Sequence, residues 1–482
     1  MNWPAAAMAP LQAVESIAVA PAAWRESCRE QLEDGGRFCG AYAAGARTAR
    51  RWTALFASGA RTTVLTTDAG APSLPTIVDL VPAADWDERE ARDLHGLGFD
   101  GHEPLRPLVR HTQETSSWTV PVEGRGTYQV AVGPIHAGVI ESGHFRFHVV
   151  GERILHLDPR LFYKHRGLEA AAQGTELAAG LAYAQRACGA CAVTNAVAYA
   201  QACEAVLGFR APRELRRVRT LLLELERLYN HLNDVAAICA GVGFAAGNMA
   251  FAALKERALR LNAELAGHRF LFGEVEVGAS SLAVPADRAD RTRAVLRELR
   301  SDAARAWREI AFAASVQARL GGVGELSAAY AAELGAVGPA ARASGLAIDT
   351  RAESPGLWYG AAFAAAALPA ASGDVAARLE IRGVELLVTF ELLDELLGEP
   401  IEAAGATRGG PAAALGVARV ESPRGETVCA VSATGGKLAR LHLRTGSYAN
   451  WPALAHATAG NLLPDFPLIN KSFELCYACA DR

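Results

Sequence analysis

The sequence contains no uninterrupted apolar run approaching the ~20 residues that a membrane-spanning helix requires, so any link to a membrane is expected to come through a partner. The opening segment, MNWPAAAMAPLQAVESIAVAPAAW, is apolar but is broken by Pro4, Pro10 and Glu15. It also lacks a basic stretch ahead of the apolar residues, so it reads as a poor secretory signal, and the chain is expected in the cytoplasm. Strong charge of either sign is missing too. The formal net charge is -4 over 482 residues, so electrostatics give no support to nucleic-acid binding. No G-x-G-x-x-G follows a strand-like run, which removes the usual sign of a nucleotide site. No internal repeat stands out, and the one compositional bias, toward alanine, favours helix.

What is present is the composition of a folded protein. Hydrophobic residues make up 51% and charged residues 21%, at a length that favours two or three domains. Residues 1–120 read as a small α/β domain. RTTVLTTDA and PSLPTIVDLVP are strand-like, and WDEREARDLHGLGF is a charged helix ending at Gly96 and Gly98. The polar stretch HTQETSSWTVPVEGRG reads as a linker or loop. Residues 121–482 form the second domain. TYQVAVGP, HFRFHVV and RILHLD suggest a small antiparallel sheet.

Long helical patterns follow. Leu221, Leu225, Leu228 and Leu232 recur at helical spacing in a stretch running from Pro212 to Gly241. MAFAALKERALRLNAELAGHRF, RADRTRAVLRELRSDAARAWREIAFAASVQARL and VELLVTFELLDELLG add three more, enough for a helical bundle. From about Gly405 onward the sequence looks looser and strand-like. The fold class expected is α+β: the N-terminal α/β domain, then a small antiparallel sheet with a large helical bundle and an irregular C-terminal segment.

There are nine cysteines. Cys28, Cys39, Cys203, Cys239 and Cys429 stand singly, whereas Cys188/Cys191 and Cys476/Cys479 form two C-x-x-C pairs. In a large cytosolic chain such pairs indicate metal or redox work rather than structural disulfides. Two pairs supply four sulfurs, a set suited to zinc, iron or nickel. Zinc ribbons keep their pairs within one short module, but these are separated by more than half of the chain. Two distant segments must therefore converge on one buried site, and spacing alone does not name the metal.

Several segments carry a resemblance. GPIHAGVIESGHFRFHVVGERI, RACGAC, ESPRGE and LCYACADR resemble the motifs of membrane-bound, complex-I-related [NiFe] hydrogenases of the formate hydrogenlyase and hydrogenase-4 type. LFYKHRGLE and the stretch from RTLLLELERLYNHL to GEVEVGAS are similar to the 49-kDa-type subunit of complex I. PSLPTIVDLVPAADWDEREARDLHGLGFDGHEPLRPL resembles the 30-kDa-type subunit, so the two kinds of domain are fused in one chain. Complex I subunits lack both cysteine pairs, and their equivalent segments form part of the quinone cavity.

The resemblance implies an oxidoreductase interconverting H2 with protons and electrons. Cys188, Cys191, Cys476 and Cys479 would hold nickel, with Cys191 and Cys479 bridging to an iron that carries small diatomic ligands. Glu141 matches the family's proton-exit glutamate, although a lone glutamate ordinarily reads as a surface or capping carboxylate. Arg424 matches the arginine that overhangs the metals, although an ordinary ion pair is the commoner fate of arginine. His136 and His144 would be hydrogen-bond donors near the ligands, or simply satisfied structural histidines. Three positions depart from the family pattern: Asn195 stands where histidine is usual, Ala190 where a bulkier aliphatic is common, and Glu474-Leu475 where Asp-Pro is usual. Asparagine can still donate a hydrogen bond to sulfur but carries no proton at neutral pH.

No further cysteine cluster is left to hold an iron–sulfur cluster, so one is expected on a partner small subunit. Membrane ion-pumping subunits, maturation factors and, where the precursor is extended, an endopeptidase are the other implied partners. The expected location is the cytoplasmic face of the inner membrane. Two alternatives remain at this stage. One is a complex-I-like coupling subunit of the NADH/quinone oxidoreductase type without hydrogenase turnover, and the other is a structural zinc protein.

Overall fold

The computed structural model describes residues 13–45, 50–70, 73–111, 118–136, 141–353, 356–359, 363–410 and 412–482. Much of the linker read at HTQETSSW falls on 112–117, outside the described residues, as do residues 137–140 of the GPIHAGVIESGHF segment and residues 1–12.

The N-terminal part is a four-stranded sheet in the order β1-β4-β3-β2, from β1 (Ala13–Val19), β2 (Arg37–Ala44), β3 (Arg51–Ser58) and β4 (Arg61–Asp68). Strands β2 and β3 are buried along both faces. One face packs Phe38, Trp52 and Phe56 against Trp24 of α1 (Trp24–Glu33) and Ala91 of α2 (Asp85–His95). The other packs Cys39, Tyr42 and Leu55 against Val417, Val428 and Ala430 from the far end of the chain. Each large side chain buried there contributes about 1.5–3 kcal/mol of transfer free energy, which ties the two ends of the sequence together.

The strand expected across PSLPTIVDLVP is only β5 (Ser73–Pro75), paired with β6 (Gly98–Asp100). It stops because the next backbone groups find a side chain instead of a strand: Glu88 accepts the Ile77 N–H at 2.9 Å and the Thr76 hydroxyl at 2.7 Å. The charged run of α2 is not a solvated face, since Asp87, Glu88, Arg89 and Glu90 are all buried. Asp87 pairs with Arg444 at 3.0 Å, and the Arg444 side chain crosses Gly40 (φ +145°), where a Cβ would collide with it.

A three-stranded antiparallel sheet follows, β7 (Thr127–Val132), β8 (His144–Val150) and β9 (Arg153–Arg160). The short helices α3 (Leu168–Ala172) and α4 (Leu177–Gln185) lead to the main bundle: α5 (Ala192–Leu207), α6 (Arg213–Gly241), α7 (Ala245–Ala266) and α8 (Ala286–Ala311). Helix α6 begins after Pro212, where the sequence places its start, and buries Leu221, Leu225, Leu228 and Leu232. Two-residue strands pair β10 (Phe209–Arg210) with β13 (Thr407–Arg408), and β11 (Ala279–Ser280) with β12 (Ala404–Gly405).

The long helical pattern ending at Leu320 is two helices. The backbone becomes extended at Ala313 and resumes as α9 (Ala314–Leu320), a turn that buries Val316 and Leu320 while Phe312 stays exposed. After α10 (Ala328–Glu333), α11 (Gly338–Ala343) and α12 (Thr350–Glu353) comes α13 (Val375–Leu396). It starts nine residues before the apolar run suggests, because the Asp374 side chain caps it by accepting the Ala377 N–H at 2.8 Å.

The segment expected to be loose is ordered. It holds an antiparallel sheet of β14 (Leu415–Ser422), β15 (Gly425–Thr434) and β16 (Lys437–Arg444), then α14 (Gly446–Thr458), α15 (Phe466–Phe473) and α16 (Tyr477–Asp481). Among the described residues no helix is long and apolar enough to cross a membrane.

Candidate metal centre

Each cysteine pair sits where the chain enters a helix. Cys191 is the N-cap of α5 and Cys476 the N-cap of α16. The fold brings the two helix starts together. The sulfurs of Cys188, Cys191 and Cys479 all lie within 4.8 Å of one another, and the Cys476 sulfur is 3.1 Å from that of Cys188. All four are free thiols, and three of them are buried. The Ala190 N–H also points at the Cys188 sulfur, at 3.2 Å.

Electrostatics set Cys191 apart from the other cysteines. Burial pushes the thiols of Cys28, Cys39 and Cys203 up to about 12 and that of Cys239 to about 11, so they stay protonated and inert. Cys191 goes the other way, to about 6, because Cys188 and Cys479 donate hydrogen bonds to its sulfur. The neighbours pay the converse: hydrogen bonding to Cys188 raises Cys476 to about 12 and holds Cys479 well above its ordinary range. Binding of a soft cation would displace the protons that these sulfurs share.

Arg424 stands at the tip of the tight β14–β15 hairpin, where Ser422 pairs with Gly425. Its own N–H donates to Ser422 Oγ at 3.1 Å, and its carbonyl accepts from Asn450 Nδ2 at 2.9 Å. The guanidinium donates to Asp234 at 2.8 Å, and its buried Nε finds no partner among the described residues. Burial opposes the charge, but Asp234, then Glu474, Cys191 and Cys476, more than offset it, so the side chain is a fixed cation beside the sulfurs. Asp234 is held below the ordinary carboxylate range against its own burial by Arg424, His231 and Arg382.

Glu141 meets the second C-x-x-C directly, with Oε2 accepting the N–H of Ala478 at 2.6 Å. Burial and the nearby Cys476 raise its pKa. His136 braces the same loop through Nε2, 2.8 Å from the Gly143 carbonyl. His144 is directed elsewhere: its ring packs edge-on against Trp118, with centroids 5.3 Å apart. Asn195 is fully buried one turn into α5, and both polar atoms of its side chain lack a hydrogen-bond partner among the described residues.

Residues that the sequence reading did not single out hold both loops. Glu226, Tyr229 and Asn230 of α6 bond the first C-x-x-C and the start of α5. Ser447 accepts the Cys476 N–H at 3.0 Å and Thr445 donates to the Cys479 carbonyl at 3.2 Å. Asp481 accepts the N–H groups of Phe162 and Lys164, and Arg482 pairs with Glu90 and Glu169. The hints in the sequence are the segments LELERLYNHL, LFYKHRGLE, WDERE and LCYACADR, recognisable as motifs but not readable as contacts.

The site opens into a cavity of about 280 Å3 lined by Tyr229, Asn230, Lys255, Phe270, Glu474 and Cys476. A larger one, about 490 Å3, lies at the seam of the N-terminal sheet and β14–β16, and holds none of the four sulfurs. Glu90, Glu169 and His442 also cluster, but Arg440 and Arg482 already neutralise those carboxylates, so the group is an ion-pair knot rather than a cation site. The quartet is different: soft donors, no disulfide, burial of three of the four, an adjacent fixed cation, and an Arg424 Nε and Asn195 amide without a partner among the described residues all fit a soft-metal centre.

Comparison with known proteins gives matches along the chain. Residues 241–409 and 406–482 match the 49-kDa subunit of respiratory-chain NADH dehydrogenase, residues 32–122 its 30-kDa subunit, and residues 166–235 the nickel-dependent hydrogenases. The chain is 32% identical over 447 residues to formate hydrogenlyase subunit 5 of Escherichia coli (strain K12), covering 86% of this chain and 78% of that protein. It is 32% identical over 445 residues to hydrogenase-4 component G of the same organism, covering 86% and 77%. Among solved structures it is similar to a chain of the membrane-bound sulfane sulfur reductase, an archaeal respiratory membrane complex, with a TM-score of 0.68, 25% identity, and coverage of 75% of this chain and 100% of that one.

Proposed function

The chain belongs to the complex-I-related family of nickel-dependent hydrogenase large subunits, and from that premise we propose that Cys188, Cys191, Cys476 and Cys479 hold the nickel–iron centre at which it interconverts H2 with protons and electrons. The observation that carries the residue assignment is the convergence of four sulfurs from the two remote C-x-x-C pairs. When bound, the metals supply the redox and Lewis-acid chemistry that splits dihydrogen heterolytically.

The protein supplies position, charge and proton handling. Glu141 has one oxygen anchored on the Ala478 N–H, which fixes its orientation and leaves Oε1 to take or release a proton beside Cys476. Arg424, tethered to Asp234, keeps a positive charge over the thiolates and steadies negative charge there. Asn195 can orient a hydrogen bond at the first loop but cannot relay a proton. His136 supports Glu141 through its loop, whereas the packing of His144 on Trp118 suits a structural role.

The two-part reading of the chain, residues 1–120 as a 30-kDa-like domain and 121–482 as the hydrogenase domain, is supported by the separate core of the N-terminal sheet. The similar solved structure is a chain of an archaeal respiratory membrane complex, which supports a peripheral place beside membrane ion-pumping subunits at the cytoplasmic face of the inner membrane. Electrons would leave to an iron–sulfur cluster on a small subunit, and maturation factors, with an endopeptidase for an extended precursor, would load the site.

Elemental analysis of the purified complex tests the assignment. Nickel together with iron is the expected result. Zinc in their place, or no metal at all, overturns it.

A further inference from the structure

The Cys188–Cys191 loop rests on one face of α6, where Glu226, Tyr229 and Asn230 stand a single helical turn apart. The Glu226 carboxylate accepts the N–H of Val193 at 2.6 Å, the N–H of Thr194 at 3.1 Å and the Thr194 hydroxyl. Asn230 Nδ2 donates to the Ala190 carbonyl at 2.8 Å, and the Tyr229 hydroxyl donates to the Gly189 and Ala190 carbonyls, both at 3.3 Å. The three side chains are buried, Glu226 completely.

Val193 and Thr194 are the second and third residues of α5, and their N–H groups are the ones an N-cap side chain ordinarily satisfies. The residue at the N-cap is Cys191, and its side chain makes no capping bond. A sulfur turned toward a metal cannot also turn back to cap its helix. The partners of Glu226 are unusual for an acid in this layer. Asp234 is ion-paired with Arg424 and Arg382, and Glu385 with Arg342, but among the described residues no cation is hydrogen-bonded to Glu226. Its carboxylate faces a helix start instead, and burial raises its pKa to about 7.

We propose that Glu226, assisted by Tyr229 and Asn230, is the positioning residue of the first thiolate pair: it caps α5 from a neighbouring helix, so that the Cys191 sulfur is released from capping and held ready to ligate. The inference rests on the metal reading of the four cysteines. It assigns Glu226 no contact with metal or substrate. What Glu226 fixes is the place from which the Cys191 sulfur projects.

The test is nickel binding by the purified complex, followed by competition with a chelator, for the unaltered chain and for Glu226→Ala, Glu226→Gln, Asn230→Ala and Leu296→Ala. Leu296 is a buried α8 residue and controls for general loss of stability. Glu226→Ala is expected to weaken nickel binding about 10–100-fold, as loss of an outer hydrogen-bond partner does in other metal sites. Glu226→Gln keeps one acceptor oxygen and is expected to recover part of the loss. Asn230→Ala is expected to fall between, and it keeps the test open if Glu226→Ala does not fold. Binding by Glu226→Ala and Asn230→Ala within twofold of the unaltered chain overturns the proposal, as does a loss no greater than that of an equally destabilised Leu296→Ala. Failure of the unaltered chain to bind nickel is a separate result and counts against the metal assignment instead.

Discussion

The guanidinium of Arg482 lies 2.6 Å from the Glu90 carboxylate, so a residue of the α16 segment is fastened to a helix of the N-terminal sheet domain. The same guanidinium reaches Glu169 at 2.9 Å, and Asp481 beside it is held by the Phe162 and Lys164 N–H groups. Cys479 is three residues away, so this knot sets where the second thiolate pair can sit.

Glu90→Ala is expected to loosen that knot. It strips a buried guanidinium of one of its two acids, a change that costs about 3 kcal/mol. Hydrogen–deuterium exchange over residues 476–482 is expected to speed up, with nickel content falling in step. Exchange at the original rate would show that the Glu90 pair does not hold the tail.

Cys479→Ser is expected to abolish both nickel retention and hydrogen turnover, with helical circular dichroism preserved. The sulfur is fully buried at the centre of the quartet and is not part of the helical core. Undiminished turnover in this variant would remove Cys479 from the centre.

Arg424→Lys preserves charge but not the shape of the side chain that reaches Asp234 from the hairpin tip. Turnover is expected to drop on the order of 10²-fold with nickel and iron content unchanged. A loss of metal in proportion to the loss of activity would make Arg424 a structural support rather than a participant.

The N-terminal domain carries a pH-sensitive element remote from the metals. Burial alone would lower the pKa of His102, but hydrogen bonds to Asp85 and Glu88 outweigh it and raise the pKa from 6.5 to about 9. A raised folded-state pKa means that the charged His102 stabilises the fold fully below pH 6.5. That contribution then drains away as the pH climbs through about 9. Urea unfolding followed by the fluorescence of tryptophan is expected to show that, between pH 6 and 9.5, the unaltered chain loses about 2 kcal/mol more than His102→Asn does, the full linkage of about 3 kcal/mol being reduced by solvent screening. Equal pH dependence in that variant would refute the assignment.

The sequence made some of this legible and hid the rest for physical reasons. Helix α6 was readable because its leucines keep one period from Pro212 to Gly241. The break at Ala313 was not, since no proline or glycine marks it and only the burial of Val316 and Leu320 decides it. The cysteine pairs were visible as ligands by type and spacing. Their cradle was not: Glu226 and Asn230 look like any polar residues of an amphipathic helix, and what distinguishes them is a contact with a loop far back in the chain. The buried acids of WDERE defeat composition-based reading in the same way, because Asp87 and Glu90 meet their arginines, Arg444 and Arg482, only after the chain has closed on itself.

Among the described residues, the side chains that hold the two cysteine loops grip peptide groups, apart from the Thr194 hydroxyl, and none of them grips a sulfur. Mounting and chemistry are therefore separable. Exchanging all four thiols for other residues would remove the ligands and leave every one of these brackets in place.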